Sequence, residues 1–103
     1  MPLMITDKLD EALTILQEEC GELVQVISKI RRFGIEDDSV KNKRDWLAQE
    51  LGDVVAMIDI LIEQGQITPE IIEQAKQTKK DKLRVYSNLY KNEDTSEVTS
   101  HPI

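Results

Sequence analysis

Leu9, Leu13, Leu16, Cys20, Leu23, Ile27 and Ile30 recur at alternating spacings of four and three. An α-helix presents such residues as one stripe, whereas a strand throws them onto both faces. With Thr6 or Asp7 as its cap, the pattern predicts a helix running to about Arg32 and closed by Phe33-Gly34. A helix that long buries its stripe only against another long helix, so the chain is constrained from its first third to a helical bundle.

The rest of the sequence agrees. "GIEDDSVKNK", residues 34–43, reads as a polar connector. A second helix starts near Lys43, carries Leu47, Leu51, Val54, Ile58 and Leu61 as its stripe, and stops at Gly65. "ITPE" then gives the sharpest boundary, with Thr68 as N-cap, Pro69 at the first helical position and Ile67 as a hydrophobic staple. The third helix is expected from Pro69 to about Tyr90, with Ile72, Ala75, Leu83, Tyr86 and Leu89 or Tyr90 on its inner face. Residues 1–92 form a single all-α domain in this reading, and 93–103 a disordered tail without periodicity. Ile15, Val24 and Val26 on the first helix, with Val55, Met57, Ile60 and Ile62 on the second, exceed what three helices cover. The core is therefore expected to be completed by oligomerisation into four-helix bundles, as a homodimer or homotetramer.

Composition narrows the function classes. A formal charge of −7 argues against stable nucleic-acid binding. The longest apolar run, Val54 to Ile58, is far shorter than a membrane span, and no cationic leader opens the chain. One cysteine, Cys20, forms no internal disulfide and reads as a buried thiol in a reducing, cytoplasmic compartment. Charge is unevenly spread: residues 1–75 hold sixteen acidic and seven basic side chains, whereas 76–91 hold six basic ones against Asp81.

The acids repay attention one by one. Glu19 and Glu22 are three apart beside the first stripe, and Glu50 and Asp53 are three apart beside the second. If the stripes pack together, the two pairs face each other across the helix gap. Four carboxylates converging out of water need a cation, and oxygen ligands alone match Mg²⁺, with Mn²⁺ as a substitute. A lone cysteine and a lone histidine, His101 in the tail, give no zinc or haem site. The plain alternative for each pair is a solvated helix face, and for Trp46, four before Glu50, simple packing.

"EECGE", followed after 27 residues by "ELGD", resembles the Glu-Glu-x-x-Glu, spacer, Glu-x-x-Asp signature of the MazG-like all-α nucleoside triphosphate pyrophosphohydrolases. That superfamily also includes dimeric dUTPases and dCTP pyrophosphatases. The resemblance spans about residues 9–90 and implies Glu19, Glu22, Glu50 and Asp53 as Mg²⁺ ligands, with Glu18 as a further acid that supports the site or accepts a proton. The family's downstream Lys-Asn-x-x-Arg element is matched by Lys80 and Arg84 of "KDKLR", where Asp81 replaces the asparagine. The implied reaction hydrolyses a nucleoside triphosphate between its α and β phosphates, releasing nucleoside monophosphate and pyrophosphate. Basic groups must hold the departing pyrophosphate, and the candidates are Lys76, Lys80 and Arg84, followed by Lys29, Arg32 and Lys43. Trp46, Asn42 and Tyr86 are candidates for base or sugar contact. The rival reading is a non-catalytic helical dimer, acting as an adaptor through carboxylate salt bridges or as a nucleotide sensor.

Overall fold

Asp7 accepts a hydrogen bond from the Asp10 N–H at 2.7 Å and so caps the first helix, α1, over Lys8–Phe33. The structure, a computed structural model, describes residues 7–36 and 42–91. Thr6, the other candidate cap, the centre of the connector and the 93–103 tail lie outside the described residues. Asn42 caps α2, Lys43–Glu63, by accepting from the Arg44 N–H at 2.8 Å. Among the described residues the secondary structure is all-α, in three helices.

The chain divides between Gln66 and Ile67 into two units. The first is the antiparallel hairpin of α1 and α2. Its open end is tied by the Gln64 amide, which donates to the Lys8 carbonyl at 3.1 Å. At the connector end an exposed Arg44–Glu36 ion pair spans 2.7 Å.

Helix α2 stops as Gly65 predicts. Gly65 takes φ of 77°, its N–H bonds the Ile62 carbonyl at 2.9 Å, and the Gln66 N–H reaches back to Leu61 at 3.0 Å. That double closure satisfies two carbonyls that the helix end would otherwise orphan, and it needs the left-handed residue that glycine supplies without strain.

Packing in the hairpin corrects the expected stripes by one edge. Among the described residues Ala12, Val26, Met57 and Leu61 are the buried ones, while Leu13, Ile27 and Leu51 remain 45%, 42% and 44% exposed. Cys20, expected inside, is also exposed. The interior row of α1 runs Ala12, Leu16, Glu19, Leu23, Val26, Ile30, sharing Leu16, Leu23 and Ile30 with the expected stripe. Because the apolar face is wider than one partner helix covers, spacing alone leaves open which edge is buried. Leu13, Cys20, Val24 and Ile27 on α1 fall, at about 100° per residue, on the same flank as Leu51 and Val55 on α2. Glu22 and Asp53 lie on the opposite flank.

The second unit contains α3, Pro69–Tyr86. Thr68 caps it by accepting from the Ile71 N–H at 3.1 Å, with Pro69 in the first turn. It ends four residues earlier than expected, because the Ser87 backbone turns extended (φ −138°, ψ 172°) and its N–H and hydroxyl both donate to the Leu83 carbonyl. None of its residues is buried; Ile72 and Leu83 are half-buried, and Tyr86 is 81% exposed. No described helix is long and apolar enough to cross a membrane.

Candidate metal centre

Glu19 stands on the interior row of α1, and Glu50 on that of α2, with Asp53 one turn further along. Their carboxylate oxygens come within 4.8 Å of one another. Glu19 and Glu50 are half-buried and Asp53 is exposed, so the cluster opens to solvent along one flank. One oxygen of Glu50, Oε1, is buried without a hydrogen-bond partner. A buried acceptor left unpaired carries a desolvation cost of about 1–3 kcal/mol or more. Such a group is what a cation would satisfy.

Electrostatics at Glu19 point the same way. Partial withdrawal from water, then the charges of Asp53 and Glu50, a hydrogen bond with Asp53, and the charge of Glu22 together raise its carboxyl above the ordinary 4.5. A raised acid binds its proton more tightly in the folded state than in the unfolded chain. Stability of the metal-free protein is therefore highest below about pH 4.5 from this group and declines as pH rises through the elevated value. Thermal unfolding in chelator across that range is expected to show the decline, and Glu19→Gln to flatten it. Saturating divalent cation should reverse the slope.

The donor set fits a hard divalent ion. Three carboxylates offer oxygen only, they sit within reach of a common point, and one of their oxygens lacks any other partner. Glu22 is exposed and outside the three-residue cluster, though its field reaches Glu19. Glu18 is exposed on the neighbouring position of α1.

The other candidates lie along the three helices and at their caps. Asn42 commits its side-chain oxygen to capping α2, Lys43 and Trp46 are half-buried nearby in the same helix, and Lys29 and Arg32 are exposed near the end of α1, with Arg32 stacked on Phe33 at 5.2 Å. On α3, Lys76 is paired with Glu73 at 2.6 Å. Hydrogen bonding to Lys76, then the Lys76 and Lys80 charges, hold the Glu73 carboxyl below its usual value. Arg84 lies over the Tyr90 ring at 4.3 Å, a partner that helical spacing concealed because the chain leaves the helix between them.

Gly21 and Gly52 sit inside the two acidic motifs. A Cβ added at either meets nothing within 4 Å, so the hairpin itself requires no glycine there. Gly52→Ala is expected to raise the unfolding free energy of the dilute protein by about 1 kcal/mol through helix propensity, measured by urea denaturation.

The family model of the MazG nucleotide pyrophosphohydrolase domain matches residues 8–85. The chain belongs to that family. The match takes in α1, α2 and nearly all of α3, and with them all three clustered acids. No curated protein and no solved structure matches the chain. Within this MazG domain, the acidic cluster is the grouping of metal-ligating side chains found among the described residues, and nucleotide pyrophosphohydrolysis is the activity the family suggests.

Proposed function

We propose that the chain is a Mg²⁺-dependent nucleoside triphosphate pyrophosphohydrolase that opens the anhydride between the α and β phosphates. The observation that carries this reading is the convergence of Glu19, Glu50 and Asp53, with an unpaired buried oxygen on Glu50, in a MazG domain. Glu19, Glu50 and Asp53 would hold the cation, with Glu22 at the exposed rim as a fourth carboxylate. When bound, Mg²⁺ supplies charge neutralisation for the phosphate oxygens and lowers the pKa of water; Mn²⁺ can take its place.

The protein's own groups have three tasks. The carboxylates of both helices fix the reaction centre on rigid elements, which limits reorganisation during reaction. A carboxylate outside the ligand set, Glu18, takes the proton as water adds its hydroxyl to phosphorus and the bridging P–O bond breaks. Lys76, Lys80 and Arg84 are our candidates for the positive charge that the leaving pyrophosphate requires.

Exposed Leu13, Val24 and Ile27, continued by Leu51 and Val55, support a second copy seated on the apolar flank opposite the acids, as a dimer or tetramer. Sedimentation measures that state directly.

Incubating the protein with a panel of standard and modified nucleoside triphosphates, with and without Mg²⁺, tests the reaction. Monophosphate and pyrophosphate in equal amounts are expected. Orthophosphate with diphosphate would place the cleavage elsewhere, and absence of any product would refute the enzyme.

A further inference from the structure

We propose that Tyr90 is a positioning residue, whose ring holds the Arg84 guanidinium with its N–H edge presented to a phosphate group. The inference rests on the reading above for the identity of that phosphate, the pyrophosphate portion of the substrate. It goes beyond the family pattern, since Tyr90 lies outside the matched residues 8–85.

The local sequence builds the contact. Ser87 ends α3 by donating from its hydroxyl to the Leu83 carbonyl at 2.8 Å, and the same oxygen accepts from the Leu89 N–H at 3.2 Å. The Lys91 N–H then bonds the Asn88 carbonyl at 3.1 Å, closing a turn. A continuing helix would carry Tyr90 six positions, well over one turn, beyond Arg84. The turn instead folds the chain back and sets the ring 4.3 Å from the Arg84 Cζ.

That arrangement suits an anion. A ring engages the flat face of a guanidinium, whereas the five N–H donors lie in its plane and stay available to two phosphate oxygens at once. Stacking also removes part of the rotamer freedom that an exposed arginine would lose on binding. The neighbouring basic residue Lys76 differs, because Glu73 at 2.6 Å already offsets its charge. Arg84 makes no ion pair among the described residues. Tyr90 itself is 39% exposed, so one face covers Arg84 while the rest meets solvent.

The full chain is compared with Tyr90→Leu, Tyr90→Phe and Arg84→Lys. Tyr90→Leu should raise KM for triphosphate and the inhibition constant of added pyrophosphate roughly two- to fivefold, with kcat nearly unchanged. Tyr90→Phe keeps the ring and should restore both values; Arg84→Lys, which keeps charge without the fork, should lose them. In the free protein, the side-chain protons of Arg84 should show ring-current shifts by NMR that survive in Tyr90→Phe and vanish in Tyr90→Leu. An unshifted Arg84 in the wild type, or an unchanged pyrophosphate constant in Tyr90→Leu, overturns the proposal. Should the wild type turn over no nucleotide, the enzyme reading fails by itself, and pyrophosphate-induced shifts at Arg84, compared between wild type and Tyr90→Leu, still decide the role of Tyr90.

Discussion

Glu50→Gln is expected to lower nucleotide turnover about 10²- to 10⁴-fold, the span seen when one preorganised charged group is removed from a reaction centre. Glutamine preserves the shape of the side chain but exchanges a cation-binding oxygen for an amide that carries no charge. The orphaned Oε1 of Glu50 is the reason to choose this position over the more exposed Asp53. In the metal-free state the same change should be neutral or stabilising, because it removes one of the two charges that press most strongly on Glu19. Loss of activity together with an undiminished melting temperature in chelator separates a role in chemistry from a role in folding. Retained activity in Glu50→Gln would remove the acid cluster from the mechanism.

Val26→Asp is expected to abolish the folded hairpin. Among the described residues Val26 is the one side chain wholly buried, at 0% exposure, and it lies on the row where α1 meets α2. Bringing an unpaired carboxylate into that position costs several kcal/mol, or protonates it at comparable cost. A domain of this size has a total stability of about 5–15 kcal/mol, and a hairpin with four buried apolar residues belongs near the low end. Far-UV circular dichroism should show loss of helix at 25 °C. Val24→Asp, two positions away and 65% exposed, should leave the helices intact and weaken instead the proposed pairing of copies on the apolar flank, read by sedimentation. A well-folded Val26→Asp would mean that the register of the hairpin is wrong.

Much of this architecture is legible in short-range chemistry. "ITPE" sets the start of α3 because a threonine acceptor and a proline without an N–H each favour one helix position. Gly65 sets the end of α2 because the closing residue needs a positive φ. The acid pairs were legible by spacing, and Glu19, Glu50 and Asp53 do converge. What sequence could not supply was the edge of each stripe. Ala12 and Val26 take the interior and Cys20, Leu13 and Ile27 stay outside, a difference of about 100° in rotation that a wide apolar face tolerates. With Glu19 on the interior row, a hydropathy reading shifts the stripe toward Cys20. The Arg84–Tyr90 contact was hidden for another reason: it depends on a serine turn that interrupts the helical period.

Glu19, Glu50 and Asp53 are proposed to bind one divalent cation together. Titrating metal-free protein with Mn²⁺, followed by calorimetry and by the electron paramagnetic resonance of the free ion, tests it most directly. A saturable site in the wild type, displaced by excess Mg²⁺ and lost in Glu50→Gln, is the result expected. Equal titration curves for the two proteins, or no saturable binding in either, would contradict it.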